Sequence, residues 1–85
     1  MGRASINRPK HLAEKLLTIR ESLGLSQNGM VRKLDLWEQL TQAEISAFEL
    51  GKRLPPLLVL LRYARTVNLH VDDLIDDQIQ LPRFK

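Results

Sequence analysis

Residues 41–53, a stretch reading TQAEISAFELGKR, constrain the fold of this chain more than any other segment. Thr41 and Glu44 have the spacing of a capping box, in which each side chain accepts a hydrogen bond from the other residue's backbone amide. Gly51 stands where a residue in the left-handed conformation commonly ends a helix. The sequence therefore predicts a short helix over residues 42–50 with both of its ends marked.

The two faces of this helix differ in chemistry. Ile45, Phe48 and Glu49 share one face. The other face carries one amide and three small residues, namely Gln42, Ala43, Ser46 and Ala47. A face of this composition offers little apolar surface to bury in a core. Lys52 and Arg53 follow the helix directly. Such a face suits a helix that fits closely against a polar, anionic surface such as a DNA groove.

Charge is distributed unevenly along the 85 residues, which carry a net charge of +3. Residues 1–34 hold seven Lys and Arg against two Glu, a net of +5. Residues 66–85 hold four Asp against Arg83 and Lys85, a net of −2. A basic front and an acidic back favour a partner bound in one orientation, most often nucleic acid, although chance clustering on a solvated surface is the alternative.

Several classes of protein are disfavoured by composition. Without cysteine there is no disulfide framework and no thiolate metal site. The histidines, His11 and His70, lack metal-ligand spacing and a neighbouring nucleophile signature, so we expect no enzyme, metal or cofactor. Residues 1–20 lack the apolar core of a signal peptide, and the longest apolar run, residues 57–61, cannot span a bilayer. We expect a cytoplasmic protein that does not bind a membrane.

Apolar periodicity and helix-breaking residues predict four more helices, over residues 9–23, 26–34, 56–68 and 72–77. Residues 35–40 are expected to connect the second and third helices, with room for one helical turn. The residues expected to face the core on these four helices are Leu12, Leu16, Ile19, Leu23, Met30, Val31, Leu34, Leu57, Leu60, Leu61, Ala64, Val67, Leu74 and Ile75. Arg62 and Arg65 are expected to solvate the outer face of the fourth helix.

Five short helices with a small second and a capped third are in helix-turn-helix order. From about residue 16 to residue 75 the chain resembles the XRE (Cro/CI-type) helix-turn-helix domains of bacteria and their phages. The matching pieces, in order, are Ile19-Arg20, Leu23-Gly24-Leu25-Ser26-Gln27, Ile45-Ser46, Glu49 with Gly51-Lys52-Arg53, Pro56, and Leu74-Ile75. The resemblance implies an all-α, five-helix, lambda-repressor-like domain over residues 9–77, between a flexible basic arm (1–8) and a tail (78–85).

The resemblance also implies roles for the residues in and around the third helix. Base reading falls to Gln42, Ala43, Ser46 and Ala47. Phosphate contact falls to Gln27, Asn28, Lys52 and Arg53. Gln27 would also brace Gln42, whose paired donor and acceptor suit adenine. The alternative for the four base readers is an ordinary solvent face of small polar residues.

Arg20 and Glu49 are paired by the same resemblance. It implies a partly buried, bidentate salt bridge that locks the third helix against the first. This role is structural, and losing one partner would leave the other without its counter-charge.

The connector departs from the family pattern. It is about four residues longer than usual, and Asp35 replaces the expected turn glycine. Within it, Trp37 could contact the DNA backbone or a partner subunit, or could fold back with Leu36 as a lid on the core. We favour the lid, because a large aromatic side chain usually serves burial first.

The expected function is that of a sequence-specific DNA-binding transcriptional regulator, in particular a repressor, whose partner is double-stranded DNA. A homodimer through residues 69–85 is one expectation, although the apolar residues there could instead cover the protein's own core. The alternative function is an antitoxin or protein-binding adaptor that docks through the acidic residues 72–77 and the apolar tail. The basic N-terminal residues could follow a DNA groove or a phosphate strand, and the alternative is a disordered start that carries a few charges. These residues are Arg3, Arg8, Lys10 and His11.

Overall fold

The computed structural model describes residues 8–84, which form five helices and contain no strand. The helices are α1 (Leu12–Ser22), α2 (Gln27–Lys33), α3 (Gln42–Glu49), α4 (Leu57–Thr66) and α5 (Val71–Ile75). The all-α, five-helix class is as predicted. Each helix is shorter than its predicted span, and α5 begins one residue earlier than predicted. The predicted basic arm, apart from Arg8, lies outside the described residues, as do Arg3 and Lys85.

Side-chain caps define the starts of the two motif helices. At α2 the Ser26 hydroxyl accepts from the Gly29 amide at 2.9 Å. At α3 the capping box is complete, since the Glu44 amide donates to the Thr41 hydroxyl at 3.3 Å and the Thr41 amide donates to Glu44 Oε1 at 3.1 Å. These caps satisfy amides that have no partner within the helix.

The ends of α2 and α3 share one C-terminal motif. After α3, Gly51 has a φ of 72° and the Lys52 amide donates to the Ala47 carbonyl at 2.9 Å. After α2, Asp35 takes the glycine's place with a φ of 59°, and the Leu36 amide donates to the Val31 carbonyl at 3.3 Å. The left-handed turn predicted to need glycine therefore forms with aspartate, a residue that tolerates this conformation better than most.

Fourteen buried apolar side chains from all five helices and the connector form one core. They are Leu12, Leu16, Ile19, Met30, Val31, Leu34, Leu40, Ile45, Phe48, Val59, Leu60, Tyr63, Ala64 and Leu74. Leu23, Leu61 and Val67, which were predicted as core, are only half-buried, and Ile75, predicted to anchor α5 together with Leu74, is exposed. Leu74 is the buried residue of α5.

The predicted face of α4 is rotated. Leu57 is 78% exposed, whereas Val59 and Tyr63, which the sequence did not single out, are buried. Residues 57–61 are apolar without interruption, so the pattern could not distinguish a stripe that includes Leu57 from one that includes Val59. Arg62 also departs from expectation, because its Nη1 donates to the Leu34 carbonyl at 2.8 Å and so ties α4 to the end of α2.

The connector forms one helical turn, as the sequence allowed. The Leu40 amide donates to the Leu36 carbonyl at 2.9 Å, Leu40 is buried and Leu36 packs against the core. Trp37 is 65% exposed, so the predicted lid is wrong. Leu36 and Leu40 are four residues apart on this helical turn and therefore share the face that packs on the core. Trp37, one residue after Leu36, points away from that face.

The C-terminal segment is fastened to α1. Lys15, itself buried, donates through its ammonium to the carbonyls of Asp73, Asp76 and Ile79 at 2.7–3.0 Å. The partly buried apolar residues that follow α4 and pack on the core include Leu69, Val71, Leu81 and Phe84. Of the two roles considered for the apolar residues of this segment, the structure shows them covering the domain's own core. No helix in residues 8–84 is long and apolar enough to cross a membrane.

Candidate nucleic-acid interface

The outward face of α3 is open to solvent over its first turn. Gln42 and Ala43 are exposed, while Ser46 and Ala47, one turn further on, are half-buried. The inward face is held by Ile45 and Phe48, which are 0% and 2% exposed. The four residues predicted to read bases therefore share one helix face, which is exposed over its first turn and half-buried over its second.

An ion pair lies behind α3. Arg20 Nε donates to Glu49 Oε2 at 2.6 Å and Arg20 Nη2 donates to Glu49 Oε1 at 3.0 Å, with side-chain exposures of 16% and 4%. Arg20 Nη1 donates to the Leu25 carbonyl at 2.8 Å, and the hydrogen bonding to Glu49 raises the pKa of the guanidinium further. This bidentate pair joins α1 to α3 as the resemblance implied.

A chain of hydrogen bonds extends from this pair to the exposed face. Gln27 Nε2 donates to Glu49 Oε1 at 3.0 Å, and Gln42 Nε2 donates to Gln27 Oε1. The first residue of α3 is thereby held by the first residue of α2, and through it by the buried carboxylate. The sequence reasoning anticipated the bond between the two glutamines but not the bond to Glu49, because no local spacing links residues 27 and 49.

A group of cations lies at the opposite, C-terminal end of α3. Lys52 is exposed, and Arg53 is 61% exposed with Nη1 3.3 Å from Glu44 Oε2. Arg8 Nη1 donates to the Gly51 carbonyl at 3.3 Å, and Arg8, Lys10 and Arg53 line one shallow cleft. We call Arg8, Lys10, Lys52 and Arg53 the basic rim. Arg8 and Lys10, considered for the N-terminal arm, are thus brought to the end of α3.

A family model for the helix-turn-helix matches residues 16–74, which is most of the chain. The protein belongs to the XRE-type helix-turn-helix family. No curated protein shows significant sequence similarity to it. The family is one of DNA-binding transcription regulators and not normally of enzymes, and the match spans α2, the connector and α3. The match runs from within α1 to Leu74 in α5, and so it includes α2 and α3, the two helices that the resemblance implies as the first and second helices of the motif.

The lengthened turn of this helix-turn-helix protein does not loosen its second helix. Leu40 is buried directly before the Thr41 cap, so the four extra residues close into a turn that ends on the core. The position of α3 within the domain is then fixed by buried Leu40 before it and by the Arg20–Glu49 ion pair behind it. Asn28, predicted as a phosphate contact, is exposed beside Gln27.

The titratable groups outside this face suggest structural roles. Among residues 8–84 no cluster of three His, Cys, Asp or Glu side chains could hold a metal ion. His11 Nδ1 lies 3.1 Å from Glu14 Oε1 as an exposed pair. Burial raises the pKa of Tyr63 well above its ordinary value and keeps its hydroxyl protonated in the core.

Proposed function

We propose that this protein is a sequence-specific transcriptional repressor that reads a DNA major groove with the exposed face of α3. The observation that carries the proposal is the amide of Gln42, exposed at the start of α3 and braced through Gln27 by a buried ion pair. A reading side chain must be held in one geometry before DNA arrives, and this arrangement supplies that support. Repression follows most simply, because occupying DNA is enough to exclude other proteins from it.

In the proposed complex Gln42 contacts an adenine, since its carbonyl and remaining N–H match the adenine edge. Ala43 and Ala47 allow close approach and can contact thymine methyl groups. Ser46 reaches a base or a phosphate. These small side chains limit the number of bases read directly, so one domain alone has modest specificity.

Phosphate contacts supply most of the proposed affinity. We assign them to Gln27 and Asn28 at the start of α2 and to Lys52 and Arg53 after α3, with Arg8 and Lys10 extending the basic rim. Each cation that neutralises a phosphate releases a counterion, so affinity falls steeply as salt rises. Ion pairing of Arg53 with Glu44 is weak in this exposed position and does not prevent a phosphate contact.

We also propose that residues 9–77 are the DNA-binding domain, with residues 1–8 as a basic arm. The Lys10 and His11 amides donate to the Asp77 carboxylate at 2.8 and 3.1 Å, which joins the two ends of this span. Within the segment expected as an extended tail (78–85), Leu81 and Phe84 pack against the core. We therefore propose that residues 78–84 belong to the folded unit.

A homodimer is proposed because two half-sites are normally needed for useful affinity. Residues 69–85 were expected to form its surface, but the partly buried apolar side chains of residues 69–84 leave little apolar area for a partner. The exposed leucines between α3 and the first turn of α4 are the better surface, with Leu54, Leu57 and Leu58 exposed by 48%, 78% and 69%. Leu58→Lys is expected to reduce dimerisation on a two-site duplex in sedimentation, and Arg65→Lys serves as the exposed control on the same helix.

Base selection from a random duplex library tests the reading role. Gln42→Ala should relax the preference at one base position by about 1–3 kcal/mol, whereas Arg53→Ala should weaken binding to all sequences by a similar factor. If Gln42→Ala selects the same sequences as the parent protein, α3 does not read DNA through this side chain.

The alternative, an antitoxin or adaptor that docks through residues 72–77, has weaker support. The carboxylates of Asp73, Asp76 and Asp77 accept from the amides of His70, Gln78 and both Lys10 and His11. These acids are used within the domain. A gel shift separates the two functions, because an adaptor would give no salt-sensitive, sequence-dependent complex with DNA.

A further inference from the structure

The four side chains that run from α1 to the exposed face form a hydrogen-bonded chain with a defined direction. Arg20 can only donate and the Glu49 carboxylate can only accept, whereas each glutamine amide has one donating and one accepting end. The order of donors therefore decides which end of each amide faces outward. We call Arg20, Glu49, Gln27 and Gln42 the amide relay.

Glu49 sets the direction of the amide relay. Its side chain is 4% exposed, and its two oxygens accept from two Arg20 nitrogens and from Gln27 Nε2 at 2.6–3.0 Å. A carboxylate in this position can be approached only by the NH₂ end of Gln27, since the carbonyl end would bring two acceptors together. Gln27 therefore presents its carbonyl to Gln42, and Gln42 must answer with its own NH₂ group.

The consequence for Gln42 is a specific set of free groups. One N–H of its NH₂ is used by Gln27, which leaves one N–H and the carbonyl oxygen for a ligand. Adenine offers an acceptor at N7 and a donor at N6 in the major groove, and this pair matches both free groups. Were the amide reversed, two N–H groups would remain free, and these match the two acceptors of guanine, N7 and O6.

We infer that Glu49 is a specificity-determining positioning residue, which selects adenine over guanine by fixing the amide orientation of Gln42 through Gln27. The inference rests on the proposed base-reading role of Gln42. It gives the ion pair a second role beside locking α3 to α1, because the acceptor-only character of the carboxylate is transmitted to the DNA face.

The test compares two variants that remove the direction of the relay. Glu49→Gln keeps the shape but can offer either a donor or an acceptor to Gln27, and Gln27→Met removes the relay while leaving the ion pair intact. Each should reduce the discrimination between adenine and guanine at one position by about tenfold or more, which is about 1.4 kcal/mol and lies within the range of one bidentate contact. The measurement is fluorescence titration of duplexes, chosen by library selection, that differ at that base pair.

Arg20→Lys is the matched control, because it also weakens the ion pair but leaves the carboxylate as an acceptor. It should keep the parent's preference for adenine while lowering the melting temperature. If it relaxes the preference as much as Glu49→Gln does, loosened packing is responsible and the inference is wrong. Should Glu49→Gln fail to fold, Gln27→Met carries the test alone.

The failure of this inference can be told apart from the failure of the proposed function. If Gln42→Ala changes the selected base while Glu49→Gln and Gln27→Met do not, Gln42 reads DNA but the relay does not orient it. If Gln42→Ala also leaves the selected sequence unchanged, the reading role and the inference are both overturned.

Discussion

Two cations on α1, a partly buried arginine and a buried lysine, are accommodated in different ways. Arg20 pairs with a carboxylate on α3, so its partner is another side chain. Lys15 is 6% exposed and is satisfied by three backbone carbonyls at and beyond the end of α5. Both arrangements meet the requirement that a buried charge be fully hydrogen-bonded. They differ in what the accepting group is itself connected to.

The acceptor of Arg20 is itself bonded to Gln27 and through it to Gln42, on the face proposed for DNA. The acceptors of Lys15 belong to the main chain, which simply continues into residues 80–84. The Arg20 cluster is therefore expected to link the stability of the domain to the face proposed for DNA, whereas the Lys15 cluster is expected to contribute to stability alone. Substitutions at these two residues test that difference directly.

The largest effect is expected from Arg20→Met. It leaves the Glu49 carboxylate buried with only Gln27 as a side-chain donor, which costs roughly 3–5 kcal/mol. We expect a lower melting temperature together with weaker DNA binding at unchanged base preference, measured by thermal denaturation and by titration below the melting temperature. A variant that loses stability but binds its selected duplex with unchanged affinity would show that the two properties are not linked at this cluster.

Lys15→Met should have the next largest effect. It removes three charge-assisted hydrogen bonds and leaves carbonyls on the last turn of α5 without a donor, at a cost of about 2–3 kcal/mol. Base preference should not change, because within residues 8–84 no hydrogen-bonded side chain links this cluster to α3. Lys33→Met, at an exposed lysine outside the basic rim, is the control for loss of charge. A change in the selected sequence with Lys15→Met would contradict the separation of the two clusters.

The contrast between the two clusters also shows which features of the structure could be predicted from the sequence. The ends of α3 follow from Thr41, Glu44 and Gly51 because capping chemistry is local. The Arg20–Glu49 pair came from the family resemblance, since no spacing links two side chains that are 29 residues apart. The role of Lys15 left no signal, because its acceptors are backbone carbonyls that any residue could supply.

Two elements were predicted incorrectly for a related reason. The run of leucines and valine at the start of α4 is apolar on every side, so periodicity could not identify the buried stripe. Trp37 was expected to be buried because it is large and apolar, yet the geometry of the connector turn sends Leu36 and Leu40 inward instead. Side-chain size predicts burial only when the backbone leaves that position facing the core.

A smaller effect, which depends on pH, is expected at Asp77, close to Lys15. Hydrogen bonds from the Lys10 and His11 amides lower the pKa of Asp77 below its ordinary value of 3.8. A lowered folded-state pKa contributes stability that is present above the unfolded value and is lost as the pH falls through the folded value. Melting temperature should therefore fall below about pH 4, and the fall should be shallower in Asp77→Asn. If the melting temperatures of both proteins fall equally at low pH, Asp77 does not contribute to this pH dependence.

The smallest effect is expected at Trp37, which lies on the α3 side but outside the Arg20 cluster. Because Trp37 is 65% exposed, Trp37→Ala should change stability by less than about 0.5 kcal/mol, whereas Leu40→Ala, at the buried position of the same turn, should cost roughly 2–5 kcal/mol. Asp35 and Glu38 flank Trp37 closely in sequence and disfavour a phosphate there, so DNA affinity should change by no more than about twofold. A clear loss of affinity with unchanged stability would instead assign Trp37 to the DNA interface and extend recognition beyond the face that the ion pair supports.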